Sequence, residues 1–178
     1  RIDTDAFGVN GPAAAQATTA AEVALNIPIT TAIGASQTSP ASVLDASGVT
    51  HDFDLVWTRN RPQQNWTMTV IPKDATSTSA STSTVTFDEN GALPKDTKIP
   101  IEITPAAGET VSFTLDVSDV TSLGQGYTYF GFQRDGRVAG ELDGFHFDNT
   151  GKIVGEFTNG YQATLYKLPL ATFTNADA

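Results

Sequence analysis

Cysteine is absent from all 178 residues of this chain. Its absence excludes disulfide bonds, thiol nucleophiles and cysteine-ligated metal sites, so the folded state has to be stabilised by packing. Basic residues are also scarce: 10 Lys and Arg stand against 20 Asp and Glu, which gives a formal charge of −10. Because such a chain repels phosphates and anionic lipid headgroups, we expect neither nucleic acid nor a membrane as its partner.

Long apolar runs are missing too. No stretch approaches the roughly 20 apolar residues that a membrane-spanning helix needs, and no basic segment followed by an apolar one opens the chain. Since the first residue is Arg1, we interpret the sequence as a fragment or a processed product. Its 39% hydrophobic and 17% charged residues are typical of a globular chain.

Turn signals, in contrast, are plentiful. Three segments share one pattern, in which an apolar residue is followed by Asp, two further residues and Gly. In such a corner the Asp side chain accepts hydrogen bonds from backbone N–H groups, and the Gly adopts a positive φ that a Cβ disfavours. An Asn-Gly dipeptide between alternating runs predicts one more hairpin turn. The predicted structural turn residues are Asp45, Gly48, Asp88, Gly91, Asp148, Gly151, Asn159 and Gly160.

Apolar and polar residues alternate around these corners, as they do in strands with one buried face. The alternation predicts a long hairpin on either side of residues 59–64 and a three-stranded meander over residues 142–168. The fold class that follows is all-β, with two small antiparallel β domains. Five large aromatic residues of the predicted strands are expected to be buried in the core: Trp57, Trp66, Phe113, Phe147 and Phe157.

Two changes in composition predict how the chain is organised. Ser and Thr dominate residues 76–84, and such a stretch buries too little apolar surface to offset the entropy of ordering, so we expect a mobile surface loop there. Residues 124–132 are rich in glycine and aromatics without a clear period, which indicates a domain boundary. The predicted ranges are a leader at 1–20, a β barrel or sandwich at 21–124 and a second β segment at 125–178.

Histidines that could bind a metal or act in catalysis are few. His51 and His146 both lie in predicted strands and lack the spacing of metal ligands, and no Gly-x-Ser-x-Gly motif is present. The Asp-x-x-Gly corners lack the alternating oxygen ligands and the distal Glu of a calcium loop. We therefore predict no catalytic residue, no metal and no cofactor.

Paired carboxylates are the remaining candidates for chemistry. Asp52 with Asp54, or Glu141 with Asp143, could provide the acid and base of a glycosidase. Acidic residues that alternate with apolar ones are, however, typical of the solvated face of an antiparallel strand. The solvated-face interpretation is favoured.

A longer pattern runs through the C-terminal part of the chain. It begins with Asp135-Gly136, continues with the Gly-x-Leu-x-Gly motif at 140–144, the corner at 147–151 and the turn at 158–160, and ends with Leu-Ala-x-Phe-x-Asn at 170–175. In this order and at these intervals the motifs resemble those of the bacterial flagellar hook protein family. Upstream, the Val-x-Asp-x-x-Gly-x-x-His segment at 43–51, the strand around Trp66 and the segment 86–93 are similar to the same family.

The resemblance implies a structural role. It implies an outer portion of a hook subunit without its terminal helices, in an extracellular, self-assembling curved tube that acts as the universal joint of the flagellum. The implied partners are further copies of the chain and other flagellar axial proteins, and no enzymatic activity is implied. In the family, a β barrel or sandwich such as 21–124 is inserted into a second β domain, of which 125–178 would be the returning part and 1–20 the crossing.

Other functions stay open on the sequence alone. A carbohydrate-binding β sandwich could use the exposed indole of Trp57 or Trp66 as a stacking platform, and burial of both indoles would exclude it. A rod or filament-junction protein of the flagellar axial family is a further alternative, as is an enzyme with paired carboxylates.

Overall fold

The computed structural model describes residues 13–61, 64–73, 81–104 and 110–167. These residues form twelve β-strands and no helix, which confirms the predicted all-β class. They fall into two compact units: a larger unit, Gln16–Arg137, and a smaller unit whose described residues are 13–15 and 138–167. Over the described ranges, no helix is long and apolar enough to cross a membrane.

The larger unit contains nine strands in two sheets. One sheet is antiparallel, in the order β2-β3-β4-β5, and the other contains β6, β7, β1, β8 and β9. The strands are β1 (Ala20–Asn26), β2 (Ser36–Leu44), β3 (Thr50–Arg59), β4 (Asn65–Pro72), β5 (Ser81–Thr86), β6 (Lys98–Ile103), β7 (Val111–Asp116), β8 (Val120–Thr121) and β9 (Thr128–Arg134).

The sheet around β1 is mixed, whereas the sequence predicted antiparallel strands. β7 and β8 pair with successive parts of β1 in parallel, and β9 pairs with β1 antiparallel, with a bulge between Ala24 and Leu25. Alternation reports which face of a strand is buried and carries no information on the direction of its neighbour. β1 therefore has hydrogen-bonded neighbours along both edges, and its Val23 and Leu25 are fully buried.

One core lies between the faces of the larger unit. Trp57 and Trp66 are fully buried and Phe113 is 4% exposed. Phe53 contacts Phe113 and Phe132 through ring centroids 6.0 and 5.8 Å apart. Because neither indole is available for stacking on a sugar, the carbohydrate-binding alternative loses its platform.

The smaller unit contains the predicted three-stranded meander of β10 (Leu142–Phe147), β11 (Lys152–Phe157) and β12 (Gln162–Lys167). Phe157 is 8% exposed and pairs with Leu142. Phe147, in contrast, is 55% exposed, so the prediction that it is a core residue is wrong. It is the last residue of a strand that pairs with β11 alone among the described strands, and its ring contacts Phe145 edge to face.

The Ser/Thr-rich segment was also predicted incorrectly in part. Residues 81–84 belong to β5, which pairs with β4 from Asn65 to Val70, and 76–80 lie outside the described residues. Ser and Thr are compatible with this strand because only Val85 of β5 is buried. The expected loop is thus a strand from residue 81 onward.

The predicted boundary between residues 124 and 125 falls inside the larger unit. The strand that follows it, β9, pairs with β1 over six residues of each strand. The units therefore divide the chain at 137/138. The ranges 1–20, 21–124 and 125–178 stay a prediction of domain organisation.

The three Asp-x-x-Gly corners have one geometry. In each, Oδ1 of the Asp accepts from the backbone N–H groups two and four residues later, at 2.8 to 2.9 Å. Gly48, Gly91 and Gly151 have φ of 81°, 74° and 76°, and Gly160 of the Asn-Gly turn has 77°. Each carboxylate thus accepts hydrogen bonds from N–H groups of the turn that have no carbonyl partner where the backbone reverses.

Gly91 and Gly34 form a matched pair for testing what the corner requires. Both have positive φ, but a Cβ on Gly91 would lie 2.3 Å from the Ser122 carbonyl oxygen, whereas a Cβ on Gly34 would meet open space. Gly34→Ala should cost roughly 1–2 kcal/mol in free energy of unfolding, from backbone strain alone. Gly91→Ala should cost more. Urea unfolding followed by tryptophan fluorescence measures both losses, because both Trp residues lie in the larger unit. Equal losses of unfolding free energy for the two variants would contradict a role for the close approach of Gly91 to the Ser122 carbonyl.

Candidate functional site

The chain enters and leaves the larger unit at one place. Gln16 and Arg137 form an antiparallel bridge, with hydrogen bonds of 2.8 Å from the Gln16 N–H to the Arg137 carbonyl and 3.0 Å in return. The covalent connections of this unit to the rest of the chain are the bonds 15/16 and 137/138. Any force carried along the chain into this unit passes through these residues. We call residues 16–20 with 134–137 the clasp.

Asp135 holds the two segments of the clasp together. Its Oδ1 accepts from the N–H groups of Thr19 and Ala20 at 2.8 and 3.1 Å, and its Oδ2 accepts from the Thr19 hydroxyl at 2.5 Å. Burial raises the pKa of Asp135, but the hydrogen bonds from Thr19 and Ala20 outweigh it and hold the pKa below the ordinary value of 3.8. The carboxylate is therefore ionised at neutral pH and makes charge-assisted bonds.

Thr18 ties the clasp to the other sheet. Its N–H donates to the Leu44 carbonyl at 2.9 Å, and its Oγ1 accepts from the Leu44 N–H at 3.0 Å. Thr18 is buried, and a Cβ on Gly136 would lie only 2.4 Å from its Oγ1. Glycine at 136 is thus required for the two crossing segments to approach each other.

A buried hydrogen-bonded pair of side chains lies next to this attachment. Nε2 of His51 is 3.0 Å from Oδ2 of Asp45, and both residues are buried. The hydrogen bond with His51 and those from the Val49 and Ser47 N–H groups lower the pKa of Asp45, although burial raises it. Asp45 therefore has two functions, since one oxygen closes the corner and the other orients His51.

The predicted turn residues do not converge on a common site. Asp45 and Asp88 close separate corners of the larger unit, and Asp148 and Asn159 close turns of the smaller one. Hydrogen bonds also lower the pKa of Asp88 and Asp148, chiefly those from the Ala92 and the Lys152 N–H, respectively. These carboxylates accept hydrogen bonds from the backbone of their own turns, so they are not available for a shared site.

The paired carboxylates proposed for an enzyme are exposed or paired with a lysine. Asp54 forms an ion pair with Lys73 at 2.9 Å, and Asp52, Glu141 and Asp143 are exposed. His146 is about half exposed and lies 3.1 Å from Glu156. Within the described ranges, no three His, Asp or Glu side chains come together as metal ligands would.

Sequence reasoning missed the clasp. Thr18 and Thr19 lie within the predicted leader, and in the sequence Asp135-Gly136 is only the first motif of the family pattern. The contacts join residues 115 and 116 positions apart, so no local periodicity reports them. The one available signal was the Asp-Gly dipeptide itself, which precedes Arg137 at the end of the unit.

Comparison with known proteins gives a consistent result. Residues 10–137 match the family model described as flagellar basal body protein FlaE D2 domain, and the match ends at the last residue of the larger unit. The flagellar hook protein FlgE of Salmonella typhimurium is 25% identical over an alignment 139 residues long, which covers 75% of this chain and 34% of that protein. The flagellar hook protein FlgE of Rhizobium meliloti is 26% identical over an alignment 178 residues long, which covers 92% of this chain and 42% of that protein.

A solved structure shows the same fold. The flagellar hook protein FlgE2 of Helicobacter pylori superposes with a TM-score of 0.56 at 16% identity, over 79% of this chain and 34% of that one. The chain thus spans between a third and a half of the length of the relatives that it matches.

Replacing Asp135 tests the clasp. Asp135→Asn keeps an acceptor but removes the charge, and it should lower the free energy of unfolding of the larger unit by about 1 kcal/mol at pH 7. The stabilisation by Asp135 is complete above its ordinary pKa of 3.8 and is lost as the pH falls through the lowered native pKa. The difference between variant and parent should therefore shrink as the pH falls below 3.8, measured by tryptophan fluorescence in urea.

The exposed Asp119 provides the control for Asp135→Asn, because its carboxylate makes no hydrogen bond among the described residues. Asp119→Asn should leave the midpoint of urea unfolding nearly unchanged, both at pH 7 and below pH 3.8. A loss for Asp135→Asn that stays constant down to about pH 2, well below the ordinary carboxyl pKa, would contradict the charge-assisted clasp.

Proposed function

Since this chain belongs to the flagellar basal body protein FlaE D2 domain family, we propose that it is an outer structural part of a flagellar hook subunit. The observation that carries the proposal is the match over residues 10–137, which includes the whole larger unit. In this function the chain forms part of a curved, self-assembling tube outside the cell, the universal joint between motor and filament. Its partners are further copies of itself and other axial proteins of the flagellum.

The chemistry of the described residues supports a structural function over catalysis. Three of the acidic residues close corners of the backbone, and Asp135 closes the clasp. The carboxylates that could have formed an acid–base pair are exposed or, for Asp54, paired with Lys73. A catalytic site needs ionisable groups that converge in a cleft with opposed pKa shifts. The aspartates of the corners and of the clasp all have lowered pKa values, as hydrogen-bonded turn residues do.

The clasp supports the transmission of force. Force arriving through the two crossings acts along β1 and β9, which start and end at the clasp. β1 has neighbours on both edges, so pulling it lengthwise loads its hydrogen bonds with β7, β8 and β9 together. Contacts between identical copies that do not close into a ring would then build a helical tube. The larger unit would carry load in such a tube through these strands.

A chimera tests this function. A Salmonella strain that lacks its own hook protein receives a version of that protein in which the segment aligned with this chain is replaced by the matching residues of this chain. We expect curved tubes of hook dimensions in electron micrographs and at least partial recovery of swimming. The control carries an unrelated β sandwich of similar size at the same place and should give neither. A chimera that is exported and folded but never forms tubes would refute the proposal.

A further inference from the structure

The two sheets of the larger unit meet along a seam between β2 and β9. Among the described strands β2 pairs only with β3, and β9 pairs only with β1. The seam is closed by side chains instead of a backbone ladder. The Tyr127 hydroxyl donates to the Thr38 carbonyl at 3.0 Å and the Tyr129 hydroxyl to the Pro40 carbonyl at 2.8 Å.

Arg134 closes the third position of the seam. Its Nη1 donates to the Ser42 carbonyl at 2.7 Å and also contacts the Ser42 hydroxyl. The three acceptors, on Thr38, Pro40 and Ser42, are two residues apart, so they are successive carbonyls on one edge of β2. Pro40 has no N–H, which removes a donor from the middle of the same edge.

The seam is more weakly fastened than the sheets that it joins. The β2–β3 ladder contains nine paired positions, whereas the seam contains three side-chain donors, all from half-buried residues. An open groove of about 460 Å³, lined by Pro40, Ser42, Tyr129 and Phe132 among others, gives water access to it. A donor on a rotatable side chain that water can replace contributes less than a shielded ladder bond.

We propose that the β2–β9 seam is a latch: it opens locally, by release of Tyr127, Tyr129 and Arg134 from the β2 carbonyls, while both sheets stay folded. Opening separates Phe132 from Phe53, whose rings meet edge to face under the seam. It also frees the outer carbonyls of β2, which the latch otherwise occupies. A free strand edge pairs readily with a strand of another chain, so the closed latch protects this edge. The inference does not depend on the proposed function.

A buried thiol can report the opening, because the chain has no other cysteine. Ser39 is fully buried on β2 between the seam acceptors Thr38 and Pro40, and its hydroxyl donates to the Leu55 carbonyl at 3.5 Å. Ser39→Cys therefore reports on the seam, and Val70→Cys, on the interior strand β4 of the same sheet, reports on unfolding of the whole unit. We expect the thiol of Ser39→Cys to react with a disulfide reagent faster than the thiol of Val70→Cys, and with a weaker dependence on urea.

Two further variants separate the latch from general stability. Tyr127→Phe with Tyr129→Phe removes both phenolic donors and should raise the labelling rate of Ser39→Cys by roughly two- to fivefold for each bond lost. Thr86→Val is the matched control, because it removes a 2.7 Å side-chain bond to Asn65 across the laddered β4–β5 pair. It should raise the labelling of Val70→Cys and leave that of Ser39→Cys unchanged.

Either of two results would contradict the latch. If the thiols of the two cysteine variants react at the same rate with the same urea dependence, the seam opens only when the whole unit unfolds. If Thr86→Val accelerates labelling of Ser39→Cys as much as the tyrosine substitutions do, no local opening exists. Should the double variant fail to fold, Tyr127→Phe and Tyr129→Phe are each tested singly in the same way.

Discussion

The fold of the larger unit depends on bringing together two segments of chain that lie 116 residues apart. The Asp135 carboxylate closes that loop on the Thr19 and Ala20 backbone, and the entropic cost of closure grows with loop length. Three hydrogen bonds at an exposed position do not offset such a cost alone. The offset comes from the core between the two sheets, in which Trp57, Trp66 and Phe53 are fully buried. The clasp and the core consequently form together, and a clasp variant reports on the packing of the entire unit.

This dependence explains why a chain without cysteine can form a β unit whose ends are joined. In many small domains a disulfide would close such a loop. Here Gly136 lets the crossings approach and Thr18 connects them to the end of β2. The adjacent Asp45–His51 pair is buried and hydrogen-bonded, so removing either partner would leave a polar group without its bond in a dry environment. The crossing at residues 18–20 is thus bonded to the end of β2 through Thr18 and to the segment after β9 through Asp135.

The features that could be predicted from the sequence are those determined by neighbouring residues. Asp45, Asp88 and Asp148 with their glycines define corners, because the accepting oxygen and the donating N–H groups lie within four residues of each other. Strands with a strict period of two, such as β3 and β7, were recovered for the same reason. Phe147 shows the limit: alternation placed it on the apolar face of β10, but burial also needs a layer opposite that face, and alternation does not report one.

The parallel pairing of β1, the clasp and the seam could not be predicted because they join residues about 90 to 116 positions apart. Pro40 illustrates this, because the sequence alone does not show that it lies in a strand, and only the topology explains its place. A proline on β2 is acceptable because that edge has no ladder partner among the described strands. The same missing ladder leaves the seam to Tyr127, Tyr129 and Arg134.

The clasp and the seam therefore differ in kind, although both are fastened by side chains. At the clasp the acceptor is a charged carboxylate and its donors are mostly backbone groups, so few rotatable bonds have to be fixed. At the seam the acceptors are neutral carbonyls and the donors sit at the ends of long side chains, whose ordering costs more entropy. Load entering through the crossings meets the firmer fastening first. Deformation of the unit should accordingly begin at the seam, where the two sheets separate without loss of a single ladder bond.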